Sequence, residues 1–260
     1  MDVAETLEAM YTDRGKLALP DARIGLIIPS SNRNTEPQFH HYTPDNIGVH
    51  IQRIQMTGRH EKPLNALLPE IYAAAQTLGD AKPNVIVFHC TGTAMRAGPE
   101  GENRIIQTIE EASGIKAITT AGAVCEALRA LKVQDLVLVT PYLQKVNEEE
   151  KHYLRLAGFN VIHDFGLQLA TSDETLAVRP DRWMEVVRNN LRNYADGYFL
   201  SCTNTSQIEV IDLLEAELKK PLVSSNQAVI WACISSISKQ GIRFSRPRNL
   251  GKLMSLEVTP

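Results

Sequence analysis

The chain has 260 residues, 43% hydrophobic and 22% charged, with a net charge of −3. That length holds one large domain or two lobes of about 110 to 130 residues, and the mild negative balance, with no basic cluster among interleaved aromatics, speaks against nucleic acid or an anionic membrane as partner. No apolar run approaches the roughly 20 residues that span a bilayer. Met1 to Thr6 lack the regions of a secretory signal, and the four cysteines form no Cys-x-x-Cys pair, so the thiols read as reduced in a cytosolic protein.

Residues 1–22 read as a polar extension with a helix near Ala4 to Tyr11. Arg23 to Pro29 is an apolar run of strand length, followed by a polar turn from Ser30 to Pro37, and Val49 to Ile54 is extended. Leu64 to Leu78 sets Leu67, Leu68, Ile71 and Ala74 at helical spacing and stops at Gly79. Pro83 and Asn84 open a strand that ends at Cys90, then come a helix from Ile105 to Ala112, a strand from Ile115 to Thr119 and helical patterning from Ala121 to Leu131. The second half repeats the order. Leu136 to Thr140 is a strand, Val146 to Leu156 a helix and Asn160 to His163 a strand. Pro180 suits the first turn of a helix running to about Tyr194. A strand then leads to Cys202, and a helix from Ser206 to Leu218 places Ile208, Ile211, Leu214 and Leu218 on one side. Gln227 to Ile237 is again helical in pattern.

Strands alternating with helices predict an α/β fold of βαβ units, with parallel sheets covered on both faces and ligands bound beyond the carboxyl ends of the strands. Three ordered pairs of motifs make the chain an internal duplication. Ile24 to Pro29 resembles Leu136 to Pro141, Cys90-Thr91-Gly92-Thr93 resembles Cys202-Thr203-Asn204-Thr205, and Ala117 to Thr120 resembles Leu222 to Ser225. The first two pairs share an offset of 112 positions; the third is 105, shorter by 7, which assigns the extra residues to a loop around Ala97 to Gly101. The expected division is an N-terminal lobe over 1–130, a C-terminal lobe over 131–227, and a segment 228–260 packing back on the first.

Each Cys-Thr pair closes a buried strand and enters a turn before a helix, where backbone N–H groups stabilise an anion. Two facing thiols can move a proton across a carbon, or one can add to an activated double bond while the other handles the proton. Either reaction needs donors aimed at a carboxylate, and Thr91, Thr93, Thr203, Thr205, Ser30, Ser31, Asn32 and Tyr142 supply that chemistry at strand ends. Neither demands a cofactor, and no dinucleotide fingerprint, P-loop or metal-ligand cluster is present in the sequence. Cys125 and Cys233 sit in helical segments and read as buried small hydrophobes. His89, one residue before Cys90, points to the opposite face and reads as a hydrogen-bonded core histidine.

The paired Cys-Thr strand ends, together with Pro29-Ser30-Ser31-Asn32-x-x-x-Glu36 and Thr140-Pro141-Tyr142, resemble the aspartate/glutamate racemase superfamily, in its branch of maleate cis–trans isomerases and arylmalonate decarboxylases. The resemblance covers about residues 23–240 and implies two pseudosymmetric α/β lobes with a site in the cleft between them. It implies Cys90 as the nucleophile and Cys202 as the acid–base partner, with Ser31, Asn32, Thr91, Gly92, Tyr142, Ser172, Thr203 and Asn204 binding substrate, no metal and no cofactor. The decarboxylases keep only the second thiol, so the presence of both favours isomerase or racemase chemistry on a small mono- or dicarboxylic acid. In the isomerases an Asn contacts substrate where this chain has Ser172. The sequence leaves a homo-oligomer open. Two rivals are a cysteine phosphatase loop, from His89-Cys90 to Arg96, and a non-catalytic acid-binding protein. Ala97 after Arg96 and Ile208 at the repeated position fit the phosphatase loop poorly.

Overall fold

The computed structural model describes residues 19–56, 62–244 and 250–256, with Val3 alone before them; the helix expected near Ala4 to Tyr11 lies outside the described residues. Among the described residues eight short strands form two four-stranded parallel sheets. The first holds β1 (Ala22–Pro29), β2 (Ile47–Ile54), β3 (Val85–Phe88) and β4 (Ala117–Thr119) in the order β2-β1-β3-β4. The second holds β5 (Asp135–Thr140), β6 (Asn160–Gly166), β7 (Gly197–Leu200) and β8 (Leu222–Ser224) in the order β6-β5-β7-β8.

The two orders are the same, and the duplication read from sequence is also the hydrogen-bond register. Ile24 pairs with Val85 in the first sheet, and Leu136 with Gly197 in the second, each pair displaced by 112 from its counterpart. Ile24 with Val49 and Leu136 with Val161 keep the same offset, until a bulge after Leu136 shifts β6 by one residue.

The connections are α1 (Thr35–Tyr42), α2 (Leu64–Asp80), α3 (Thr91–Arg96), α4 (Gly98–Ser113) and α5 (Thr120–Ala130) in the first half. In the second they are α6 (Gln144–Leu156), α7 (Ser172–Ala177), α8 (Pro180–Asn189) and α9 (Ile211–Leu218), the last entered through a 3₁₀ turn at Gln207–Val210. After β8 come α10 (Ser225–Ser238) and α11 (Gly251–Ser255). The loop expected around Ala97 to Gly101 is helical instead. Gly98, at φ 69°, breaks the chain between α3 and α4, and Pro99 fits the first turn of the new helix, where its missing N–H costs nothing. The polar stretch after β1 likewise becomes α1 from Thr35, because Asn32 Oδ1 accepts the backbone N–H of Thr35 at 2.9 Å and Pro37 lies in the first turn.

Alternate residues of each strand enter two apolar layers. One contains Ile27, Phe88, Val124, Leu136, Leu138 and Phe199; the other contains Leu26, Val87, Val137, Val139, Leu200 and Val229. Both layers take side chains from both sheets, so the halves share their core. Enclosing one such side chain contributes about 1.5–3 kcal/mol. Helix α10 is buried nearly all round, as its apolar run Ala228 to Ile230 and Ala232 to Ile234 requires, and it packs on α5 while touching α1, β3 and β8. Among the described residues no helix is long and apolar enough to cross a membrane.

Candidate active site

The carboxyl ends of β1, β3, β5, β6 and β7 lead into one seam between the sheets. There the turns after β1, β3, β5 and β7 and the β6–α7 segment enclose a cleft with about 470 Å³ of empty space, its mouth included. Cys90 and Cys202 both line it, one from each sheet, with Tyr142 beside them. Ser31, Asn32, Thr203 and Asn204 form one wall, and Leu169 to Ser172 with Thr175 form another. Among the described residues no Lys, Arg or His lines the cleft, and the donors that face it there are N–H and O–H groups.

Cys90 is the N-cap residue of α3, extended at φ −152°, with its Sγ 3.3 Å from Thr93 Oγ1. Cys202 has φ 110°, a conformation that costs an L-residue about 1–3 kcal/mol. It is held there by its own N–H, which donates to Ser225 Oγ at 3.1 Å, and by the Asn204 N–H, which reaches its Sγ at 3.4 Å. The Tyr142 hydroxyl is hydrogen-bonded to the Cys202 thiol. Burial pushes the Cys202 thiol up to about 12, against the opposing hydrogen bonds from Tyr142 and Asn204, and Cys90 and Glu150 add to the rise. Burial also holds the Tyr142 phenol well above its ordinary value of 10, so both groups keep their protons at neutral pH.

The two strand-end turns are bound to each other. Asn32 Nδ2 donates to Thr203 Oγ1 at 3.0 Å, Thr35 Oγ1 donates to the Thr203 carbonyl at 3.1 Å, and Asn204 Oδ1 accepts the Arg33 N–H at 2.9 Å. Ser31 and Ser30 both donate to the Met56 carbonyl, which fixes this turn to the end of β2. Ser172 donates to Ser31 Oγ at 3.1 Å, and outside it Arg33 pairs with Asp173, so the β6–α7 segment is tied down over the cleft. That segment can pass so near because residue 166 is glycine: a Cβ there would collide with the Tyr142 carbonyl.

Of the residues singled out in sequence, Cys90, Cys202, Ser31, Asn32, Tyr142, Ser172, Thr203 and Asn204 meet in the cleft. Thr91, Gly92, Ser30, Thr93 and Thr205 do not line it. Thr91 donates to Ser225 Oγ at 2.8 Å, and Gly92 packs on the Tyr142 ring. Leu169, Ala170, Thr171 and Thr175 were not foreseen; the one signal for them is the Thr171-x-x-Glu174 capping box that opens α7. His89 is fully enclosed, 3.0 Å from Thr120 Oγ1 and 2.9 Å from Asn226 Oδ1, and burial brings it down to about 3. Cys125 and Cys233 lie in the apolar layers away from the cleft, both thiols raised by burial. Arg96 pairs with Glu149 at 3.1 Å and does not line the cleft, which removes the cation a phosphatase loop needs. Among the described residues no group of His, Cys, Asp or Glu is placed to hold a metal ion.

Two pseudosymmetric parallel sheets that each deliver a cysteine to one cleft define a two-thiol α/β protein. Comparison with known proteins gives the family. Residues 24–250 match the family described as arylmalonate decarboxylase, and the chain belongs to this family of arylmalonate decarboxylases and maleate isomerases, within the aspartate/glutamate racemase superfamily. It is 27% identical over 225 residues to the maleate isomerase of Nocardia farcinica, covering 83% of this chain and 90% of that one. It is 26% identical over 179 residues to the arylmalonate decarboxylase of Bordetella bronchiseptica, covering 65% of this chain and 72% of that one. The fold is similar, with a TM-score of 0.82 and 25% identity, to a cysteine-to-serine variant of Nocardia farcinica maleate cis–trans isomerase with a covalently bound succinylcysteine intermediate; 91% of this chain and 99% of that one are covered.

Proposed function

We propose that the protein is a cofactor-independent isomerase of a small carboxylic acid, of the maleate cis–trans type. The observation that carries this reading is the opening of two thiols, one from each half of the chain, onto one cleft lined by neutral donors. The roles follow from the surroundings. Cys90, at the N-cap of α3, is the nucleophile. Cys202, whose thiol stays protonated far above neutrality, is the acid.

In the proposed cycle the Cys90 thiolate adds to one carbon of the cis double bond, and its electron pair becomes the new C–S bond. The π electrons move to the neighbouring carbon as an enediolate of the adjacent carboxylate, and the Cys202 thiol protonates that carbon. The former double bond is now single and rotates. The Cys202 thiolate then removes the proton, the double bond re-forms in the trans geometry, and Cys90 leaves as thiolate. Every proton and electron pair returns to its origin. Asn32, Ser31, Thr203, Asn204, Tyr142 and Ser172 bind the carboxylates, and the developing enediolate charge is met by fixed donors. The solved relative with a succinylcysteine and a serine in place of a cysteine supports this order of events, since the adduct is what remains when a thiol is missing. We also propose the lobe division of 1–130 and 131–227, with the segment from residue 228 returning to the first lobe.

Proton NMR of the purified protein with maleate in heavy water tests the reading. Fumarate formation is expected. Carbon dioxide release from an arylmalonate, with maleate untouched, would move the assignment to a decarboxylase; exchange of an α-proton of an amino acid would move it to a racemase. Ligand binding without turnover of any of these would overturn an enzymatic role.

A further inference from the structure

One buried ionisable group takes no part in that cycle. Glu150, in the middle of α6, has 0% exposure, and no cationic side chain among the described residues bonds to it. Its Oε1 accepts the Ser201 hydroxyl at 3.0 Å, and its Oε2 has no hydrogen-bond partner among the described residues. The titratable groups facing it are Cys90 from the β3–α3 turn, Cys202 from the turn after β7, Tyr142 from the turn before α6 and, on its own helix, Glu149, which is paired with Arg96. Each of these gains a negative charge when it ionises. A carboxylate at this place would lack both water and counter-ion, which disfavours its charged form. It would also oppose a thiolate in the same enclosure.

The internal duplication bears on the same point. The offset of 112 that carries Cys90 onto Cys202 carries Gln38 onto Glu150. Gln38 is buried in α1 as Glu150 is in α6. Its Nε2 donates to the Thr205 carbonyl at 2.7 Å, and its Oε1 accepts from Asn226. Both side chains reach the segment 201–205 that bears Cys202. One copy of the unit uses a neutral amide at the position where the other carries a carboxyl group.

We infer that Glu150 is a positioning residue that serves as a neutral carboxylic acid: it holds the Cys202 turn through Ser201, and its retained proton keeps negative charge away from the paired thiols. The kinetic arm of this inference rests on the isomerase reading above; the titration arm does not. Burial pushes Glu150 up to about 8, the Ser201 hydrogen bond works against that rise, and Cys90 and Glu149 add to it. Above that pH the carboxylate forms, the Cys90 thiolate becomes harder to make, and the two titrate as a coupled pair.

The test reads the Cys90 thiolate by its ultraviolet absorbance, as the difference between the protein and its Cys90→Ser variant, against pH, with and without Glu150→Gln. No substrate is needed. The two titrations should coincide near neutral pH and separate above about 8, with more thiolate in the Glu150→Gln background. In turnover, Glu150→Gln should keep kcat/KM within about threefold at neutral pH and lose the alkaline limb. Ser201→Ala, which removes the opposing hydrogen bond, should move that limb upward and serves alone if Glu150→Gln does not fold. Superimposable titrations, an unmoved limb in Ser201→Ala, or a folded Glu150→Gln protein impaired more than about tenfold at neutral pH would overturn the inference.

Discussion

Asn32 and Thr203 are 171 positions apart and joined by a 3.0 Å hydrogen bond from the amide Nδ2 to the hydroxyl oxygen. Asn32 Oδ1 meanwhile accepts the N–H groups of Asn34 and Thr35 at 3.2 and 2.9 Å. One side chain therefore caps α1, ties the two sheets at their ligand end, and keeps a single amide hydrogen for the cleft. Asn32→Ala orphans buried donors, so it should lower stability by about 1–3 kcal/mol. It should also cut kcat/KM by on the order of a hundredfold. Thermal unfolding and steady-state kinetics on one preparation check both. A variant that loses activity with an unchanged melting temperature would remove the structural half of this account.

The two thiols should fail in different ways. Cys202→Ser leaves the nucleophile in place and removes the thiolate that takes the proton back; a proton delivered to the enediolate carbon by the serine hydroxyl or by water then traps a saturated adduct, so turnover should drop by about a thousandfold or more while that adduct builds up. Intact-protein mass spectrometry after incubation with maleate should show the added mass of one maleic acid, and peptide mapping should place it on Cys90. Cys90→Ser should show no adduct and no turnover. An adduct on Cys202 in the wild type would reverse the two assignments.

Two enclosed groups should shape stability against pH from opposite sides. His89 falls from 6.5 to about 3 on folding, so the unfolded chain takes up a proton that the native protein refuses, and stability is lost as pH drops below 6.5. Glu150 rises from 4.5 to about 8, so the native protein keeps a proton that the unfolded chain gives up; its contribution is full below 4.5 and is lost as pH climbs through about 8. Between 4.5 and 6.5 the two slopes cancel. The expected profile is a plateau there with a decline of up to about 1.4 kcal/mol per pH unit on each side, steepened on the acid side by surface carboxylates. Denaturant unfolding across pH should find the alkaline decline flattened in Glu150→Gln and the acid decline reduced in His89→Gln. A profile that rises steadily through pH 8 would contradict the Glu150 shift, and one that falls steadily from pH 3 would contradict the His89 shift.

The duplication was legible in sequence because it leaves a fixed offset, and the strand pairings of the two sheets repeat that offset. The thiols were legible for the same reason: Cys90 and Cys202 repeat together with the strands that carry them. What sequence reading missed lies where local chemistry is overruled by distant contacts. Ser30 to Pro37 has the composition of a turn, and α1 forms within it because Asn32 caps Thr35 and Gln38 is satisfied by Thr205 and Asn226, more than a hundred residues away. Of the wall from Leu169 to Thr175 the resemblance gave Ser172 alone; the rest follows a strand that runs on to Gly166, past its expected end at His163, and it closes on the cleft through Gly166 and Asp173, neither of which announces a partner. Glu150 sits in the charged run Glu148-Glu149-Glu150-Lys151, and only packing distinguishes the enclosed member from its neighbours.

Ser172 offers the sharpest test of which acid the cleft takes. Its hydroxyl donates to Ser31 Oγ and lines the cleft, at the position where the resemblance to the isomerases calls for an asparagine. An amide presents two donor hydrogens and reaches one bond further than a hydroxyl, so Ser172→Asn adds a contact for a second carboxylate. A hydrogen bond to a charged group contributes about 1.5–3 kcal/mol, so kcat/KM for maleate should rise by roughly ten- to a hundredfold, mostly through KM. Acids with a single carboxylate should gain nothing or lose a little to crowding. Because Arg33 and Asp173 are exposed, their pair contributes little to stability, and Asp173→Asn should leave the melting temperature within about 2 °C of wild type. Kinetics of Ser172→Asn on maleate beside a monocarboxylate of similar length decide the point. Equal gains for both acids would show that residue 172 does not meet the second carboxylate.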